Sequence, residues 1–509
     1  MVLLKYKWIG IIIISFVFST PFSILAQGNG DNLSFQGLDR ANDVSVKALA
    51  MGGAYTAVSG DINSLFYNAA GLASLEKFQI SFSSKYSDRE WWENQIWMHS
   101  QNRVTLFFIL GGMFMPDPKY DGLGETEMWN NNVITNPDIK ILNQGKYEWS
   151  KDAADWIKDN NDFNLNNIAI AVPVDIGKQH FVAAVSYNRR YDINDYDRND
   201  TNLDPHFGNR YDPRTGDPVK EEWPDSLVMQ WGRFERERKG GLYGITAALA
   251  YQLNNALQLS VGVNTFSGNT IEHQRLDHIA EIRLYQSDAR RYTLYHKSGE
   301  QIISGESEFS GTQFTFGALW QVSRIRLGLS IETPFTLKRE YTLKKMNVDE
   351  SEGISTEQEV GIDKVNMPLC YNFGISVQPT DNFLISLDLQ KNPYSKAEFN
   401  YAKENPTHQN WVDQNIISFG MSYKVAEILQ LFAGYRDVPQ VFLPFGWPKK
   451  DVGPSAYSYT AGASIKLFHG SFDVAYEFRR LKYFDVYETN KNYPTETCAN
   501  VLFGYTLEF

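Results

Sequence analysis

The chain has 509 residues, with 48 Lys and Arg against 60 Asp and Glu for a formal charge of −12, and two cysteines, Cys370 and Cys498. That balance excludes a nucleic-acid partner, which needs a clustered basic surplus, and two cysteines are too few for a disulfide scaffold or a cysteine-rich metal module. A hydrophobic content of 43 % with 14 % aromatic residues also excludes a disordered chain.

The first 26 residues have the three-part layout of a secretory signal. Lys5 and Lys7 precede a mostly apolar run over 8–18, and Ala26 offers a small residue before Gln27. Pro21 and the small residues around it favour cleavage over a retained anchor. With 1–26 as signal, the mature chain leaves the cytoplasm. No later run reaches the roughly 18 apolar residues of a spanning helix, so membrane insertion requires a barrel.

Beyond Glu76 the sequence is dominated by alternating segments rich in Tyr, Phe, Val, Ile and Thr, the pattern of half-buried strands. Strands are predicted over 76–86, 164–175, 180–191, 240–253, 256–271, 310–322 and 325–341, then over 367–378, 383–392, 414–424, 427–437, 456–467, 471–482 and 497–509. Their connections alternate strictly. The short ones are 176–179, 254–255, 323–324, 379–382, 425–426 and 468–470. The long ones are 87–163, 192–239, 272–309, 342–366, 393–413, 438–455 and 483–496. An even strand number with tight turns at one end and long loops at the other is the layout of a bacterial outer-membrane barrel. The fold expected is therefore all-β: a 14-stranded antiparallel transmembrane barrel over 76–509 with extracellular loops. Loop 192–239 carries 12 acidic and 8 basic residues and reads as hydrated surface, while 104–114 reads as an extra hairpin or a segment folded into the barrel mouth.

Ahead of the first strand, residues 27–75 are rich in small residues and nearly free of strand alternation. Gly52-Gly53 permits close backbone approach, and the Ala-rich stretch suits short helices in a confined space. Ala48, Met51-Gly52-Gly53-Ala54, Ala57, Asp61 and Asn68-Ala69-Ala70-Gly71-Leu72-Ala73 resemble the N-terminal hatch of the FadL/TodX outer-membrane transporters and of the related PorV-type proteins of the type IX secretion system. One position departs: Ala69 stands where the family pattern has Pro, so the turn after Asn68 lacks a fixed φ. Residues 325–330 with Thr333-Pro334-Phe335, and 372–376 with the turn 379–382, are similar to mid-barrel strands of the family. The resemblance implies a plug inside the lumen and passive passage of hydrophobic compounds such as long-chain fatty acids. It also implies an outer-membrane location in a Gram-negative bacterium. The PorV-like alternative is a scaffold that holds a secreted protein or a secretion-system partner at the cell surface. Loops as long as 87–163 and 192–239 favour transport. A TonB-dependent receptor is excluded by size, since such receptors resemble 22-strand barrels with a full plug domain.

The last strand fixes side-chain parity. Val501, Phe503, Tyr505, Leu507 and Phe509 are placed on the lipid face, and the terminal Phe509 with Phe503, Tyr505 and Leu507 resembles the signal read by the barrel-insertion machinery. The same parity turns Arg190, Arg326, Glu332, Lys338, Asp388, Arg436, Asp473, Glu477 and Arg479 toward the lumen. An Arg or Lys facing lipid at mid-membrane would cost roughly 2–4 kcal/mol. These charges read as a ladder of mutual pairs that stiffens the barrel; the alternative is that one or two of the cations meet a carboxylate head group while aromatics line the acyl path.

Nothing points to catalysis, a metal or a cofactor. His273 and His278 are five apart, the wrong spacing for a helical zinc pair. Asp195-x-Asp197-x-Asn199 opens like a calcium loop, but Asp200 takes the place of its Gly and His206 that of its terminal Glu. No nucleophile stands with an oriented base. The partners expected are outer-membrane lipids, a hydrophobic small molecule, the barrel-insertion machinery and a possible surface protein.

Overall fold

The computed structural model describes residues 33–40, 43–97, 156–207, 226–285, 292–295, 299–349, 353–403, 410–486 and 490–509. The expected signal, 1–26, and the run 104–114 lie outside them. Fourteen strands make the wall. They are β1 (Gln79–Trp97), β2 (Trp156–Ile176), β3 (Gln179–Asp192), β4 (Ser226–Gln252), β5 (Leu257–Tyr285), β6 (Gly299–Val322) and β7 (Ile325–Glu332, resuming over Phe335–Asp349). Then come β8 (Gly353–Met367, resuming over Cys370–Thr380), β9 (Phe383–Asn392), β10 (Gln414–Ala426), β11 (Leu429–Pro439), β12 (Ser455–Leu467), β13 (Gly470–Lys482) and β14 (Asn490–Glu508). Each is antiparallel to the next, and β14 returns to β1 with Gln79 opposite Glu508. Closure leaves no open sheet edge to be satisfied in lipid.

Outward positions form an apolar belt, among them Phe82, Ile168, Val185, Leu249, Phe316, Leu329, Leu387 and Phe478, all exposed. Their alternates turn inward: beside exposed Phe503, for instance, Leu502 is fully buried. No helix among the described residues is long and apolar enough to cross a membrane; the crossing is made by strands.

Two expectations are corrected. Much of the long connections 192–239, 272–309 and 342–366 is strand, not loop. β4 and β5 run as a paired ribbon out to Ser226 and Tyr285, a further strand, Asp195–Phe207, joins the β4 edge, and β7 and β8 pair out to Asp349 and Gly353. There charge takes over from hydropathy in the alternation, as at Arg236 and Arg238 with Glu235 and Glu237, while pairing continues. Ion pairs such as Arg275 Nε to Glu300 Oε1 at 2.6 Å and Arg236 Nε to Asp195 Oδ2 at 3.0 Å tie neighbouring strands together instead.

The second correction is Lys338, which sits on the outer face beside Glu340, while its neighbours Leu337 and Arg339 are buried inward. The cause is a one-residue slip at Thr333-Pro334. Between the pairs Thr315–Glu332 and Ser310–Lys338, β6 advances five residues and β7 six. Pro334 has no N–H for the ladder, and Thr333 bridges the break by accepting Phe314 N at its Oγ1 (3.1 Å). One extra residue inverts the parity of everything after it.

This architecture makes a topological prediction. Cysteine-directed reagents added to intact cells are expected to label cysteines introduced in 192–239 and 272–309 but not at Asn254 or Asp381, which lie at the opposite, short-turn end. Labelling of both sets from outside would refute the orientation.

Candidate functional site

Residues 43–75 occupy the ring's interior. They form a short helix, α1 (Val46–Ala50), capped by the Ser45 side chain, and two 3-10 turns, Ile62–Phe66 and Ala69–Ser74. Hydrogen bonds tie them to strands on every side. Val44 O accepts from Asn166 and Asn167 on β2 (2.9 and 2.8 Å), Leu75 O pairs with His180 Nε2 on β3 (2.8 Å), and Ala318 O on β6 accepts from Asn68 (3.0 Å). Further round, Ala57 O accepts from Ser376 on β8 (2.8 Å), Asp43 pairs with Arg436 on β11 (2.7 Å), and Ala50 O accepts from Thr460 on β12 (3.1 Å).

The motif residues account for this path. Gly52 and Gly53, at φ +64° and +83°, turn the chain out of α1, where Met51 is the C-cap. Gly52 then runs so close to β11 that a Cβ on Gly434 would collide with its backbone nitrogen. Ala54 is fully buried. Asp61 caps Ile62–Phe66 by accepting Asn63 N at 3.0 Å and also accepts the Tyr55 hydroxyl at 2.7 Å. Asn68 caps the next turn by accepting Ala70 N at 3.2 Å, while Ala70 is fully buried and a Cβ on Gly71 would press on Val58 O. Ala69 is the first residue of that turn, where a free N–H costs nothing, so the loss of the family's Pro leaves the geometry intact.

Above this layer lies an apolar chamber. Tyr191, Ile193, Leu242, Phe266, Phe309, Leu337, Val365 and Met367 face it from the wall, with Tyr394 and Val441 from the loops above. Phe35 and Leu38, from the arm 33–40, fill it, the Phe35 ring standing 6.5 Å from Phe309 and 6.1 Å from Phe399. Arg238 holds the arm through Ser34 O (2.9 Å) and Gln36 O and also donates to Ile193 O (2.9 Å). Between arm and rim a cavity of about 150 Å³ is lined by Trp91, Trp156, Tyr196, Trp411, Asp39 and Arg40 among others. Burial pushes the Asp39 carboxyl above the usual carboxylate range, against the opposing pull of Arg40.

The wall beside the chamber is not fully laddered. β3 pairs with β2 only as far as Asn188 opposite Asn167, then bulges at Arg190. Above that point side chains bridge β2 to its neighbours: Asp162 to Arg189 of β3 at 2.8 Å, Lys158 to Glu237 of β4 at 3.4 Å, and the Trp156 ring 5.3 Å from Tyr196 of the strand Asp195–Phe207. Tyr191, Ile193 and Leu242 connect this seam to the chamber.

A barrel filled from its N-terminus, with an apolar chamber above the filling, suits the conduction of an apolar compound. The family model described as outer membrane protein transport protein (OMPP1/FadL/TodX) matches residues 240–440. Over those residues the chain is similar to the FadL/TodX family. Among solved structures it is similar to a FadL homologue of Pseudomonas aeruginosa at 13 % identity, over 91 % of this chain and 98 % of that one, with a TM-score of 0.56. It is also similar to the P. putida toluene transporter TodX at 12 % identity, over 91 % and 98 % of the two chains, TM-score 0.52. The monoaromatic hydrocarbon channel CymD matches at 12 % identity over 92 % and 98 %, TM-score 0.50. At such identities the likeness is one of fold. No curated protein sequence matches the chain. The closed 14-strand barrel is that of a multi-pass outer-membrane protein, and the family whose model matches 240–440 is one of outer-membrane transport proteins.

Eight of the nine expected lumen charges of this barrel do point inward. Arg190 pairs with Glu332 (2.9 Å), Arg436 with Asp43 and Glu477 (2.7 and 2.9 Å), Arg479 with Glu496 (3.1 Å), and Asp473 faces Lys47 (3.9 Å). Arg326 donates to Gln321 near the short-turn end (3.1 Å), and Asp388 meets the backbone of Tyr55 and Thr56. Lys338 is the exception. Sequence reasoning missed the strongest cluster: Arg339, fully buried, bonds Glu272 at 2.6 Å and Asp363 at 2.7 Å. It also missed Arg89, which bonds Asp192 at 3.1 Å. A signal was present in 234–239, where Arg236 and Arg238 alternate with Glu235 and Glu237. That is a strand period written in charge rather than hydropathy. Among the described residues no group of His, Cys, Asp or Glu side chains converges as metal ligands would.

Proposed function

We propose that the protein passes hydrophobic compounds passively from the cell exterior. Solute enters the mouth cavity, replaces Phe35 and Leu38 in the chamber, and leaves sideways through the β2–β3 seam into the membrane. The observation that carries this reading is the apolar cluster that Phe35 and Leu38 complete, inside a barrel whose lower half is filled by 43–75. Binding sites of this kind pair apolar walls with few polar groups.

Long-chain fatty acids are one class to consider, but ionised carboxylates find little here. The guanidinium groups nearest the chamber are committed: Arg190 to Glu332, Arg339 to Glu272 and Asp363, and Arg238 to backbone carbonyls. Uncharged compounds such as toluene, which the relative TodX is described as transporting, therefore fit better. The test is uptake by cells whose own carriers are deleted. Expression is expected to accelerate toluene uptake more than uptake of an ionised long-chain fatty acid. Phe35→Ala, which vacates a ring-sized volume at the cost of about 3–5 kcal/mol of buried packing, is expected to raise the toluene rate further. Faster fatty-acid than toluene uptake would reverse the substrate assignment; no acceleration of either would refute transport.

A further inference from the structure

The cavity between the arm and the rim is lined by nine aromatic residues and by five carboxylates against two guanidinium groups. Four of those carboxylates are engaged within the protein. Asp195 and Asp197 face Arg236 (3.0 and 3.7 Å), Glu496 bonds Arg479, Arg40 and Arg89 (3.1, 3.4 and 3.6 Å), and Glu93 has partners of its own. Asp39 is the fifth. It is 8 % exposed, yet among the described residues its carboxylate makes neither an ion pair nor a side-chain hydrogen bond. Arg40, the next residue in the arm, donates from Nη1 to Glu496 instead.

A carboxylate held out of water without a counter-ion is costly, and a ligand that brings a cation recovers the cost. The rest of the lining sets the other properties of that ligand. Aromatic rings attract an apolar body, and their faces attract positive charge. Two of these rings already do the second: Lys158 Nζ stands 4.9 Å over Tyr196, and the Arg89 guanidinium 5.4 Å over Trp91. Trp411 and Phe399, from the loops above, face the arm across the same space. A cavity of about 150 Å³ is of the size that takes one benzene ring. The excess of carboxylates disfavours an anion.

We propose that this cavity is a binding site for a small organic cation, a protonated amine on an apolar body about one ring in size, with the Asp39 carboxylate as its counter-ion. The ammonium N–H donates to Asp39, and the body lies against the aromatic wall. That the site also lies on the path of transported solute rests on the reading that uptake begins at this cavity.

The test is calorimetric titration of the purified full-length barrel in detergent, at neutral pH, with three ligands of one shape: benzylammonium, benzyl alcohol and benzoate. Benzylammonium is expected to bind about tenfold more tightly than benzyl alcohol, the worth of one hydrogen bond to a charged group, and benzoate is expected to bind least. Asp39→Asn, which disturbs no ion pair of the fold, is expected to bring benzylammonium down to the affinity of benzyl alcohol while leaving benzyl alcohol nearly unchanged. Trp411→Leu removes part of the aromatic wall and is expected to weaken both ligands alike. Equal affinities in the wild type, tightest binding of benzoate, or an undiminished preference for benzylammonium in Asp39→Asn overturns the proposal. Should Asp39→Asn not assemble, Asp39→Ser serves in its place. Trp411→Leu decides as well, since full benzylammonium affinity there would place the ligand outside the cavity. Failure of the entrance reading looks different: benzylammonium would bind as expected, yet an excess of it would leave toluene uptake by expressing cells undiminished.

Discussion

Removal of residues 42–70, with the first 41 residues and the barrel kept, is expected to convert the protein into an open pore. Barrel width grows with strand number, and beyond about eight strands side chains from the wall no longer fill the interior. Here the lower filling comes from 43–75, whose Ile62, Leu65 and Leu72 pack on Ala169, Val182 and Ala250 of the wall, and whose Leu49, Met51 and Tyr55 pack with Phe432, Ala475 and Leu502. The deletion removes all of these but Leu72, together with Asp43, leaving inward groups such as Arg436, Asp388 and Asp473 to face water. Those groups are polar enough to hydrate, so the vacated volume should flood rather than collapse. The measurements are planar-bilayer conductance and cellular sensitivity to large hydrophilic antibiotics, both of which should rise strongly. Specific uptake of hydrophobic compounds should fall, because the chamber loses its floor. A deletion that conducts no better than wild type would show that the segment does not close the barrel.

What was legible in the sequence divides along the membrane boundary. Within the belt, lipid on one side and lumen on the other impose a strict period of two, so β9 was located to the residue and the parity of β13 and β14 was read correctly at Asp473, Glu477 and Phe503. Outside it both faces meet water or charge, and the same strands continued unseen through Ser226–Gln252 and Leu257–Tyr285. Parity failed at Lys338 for another reason: Pro334 was visible, but its consequence, one residue of slip, depends on the partner strand β6. The filling of the lumen was legible as composition and motif. The chamber was not, because it joins Phe35 to Phe309 and Phe399, residues brought together only by closure of the ring.

Deletion of Phe509 is expected to remove the protein from the outer membrane while leaving the folded barrel almost as stable as before. The two effects separate because of what the residue does in the fold. Its ring is 66 % exposed and touches only the edge of the seam, 5.7 Å from Phe78, and its N–H donates to Phe78 O at 3.0 Å. Loss of one such hydrogen bond costs about 0.5–1.5 kcal/mol, a small fraction of the stability of a closed barrel. The seam itself is held by the full β1–β14 ladder and by outward contacts such as Phe82 with Tyr505 at 6.2 Å. We infer that Phe509 acts before folding, as part of an apolar stripe with Phe503, Tyr505 and Leu507 that the barrel-insertion machinery reads on the unfolded chain. The truncated protein should therefore refold in detergent with near-normal thermal stability, yet be degraded in the periplasm when expressed. Normal outer-membrane levels would refute the signal, and a collapse of stability in detergent would instead make Phe509 a structural residue of the seam.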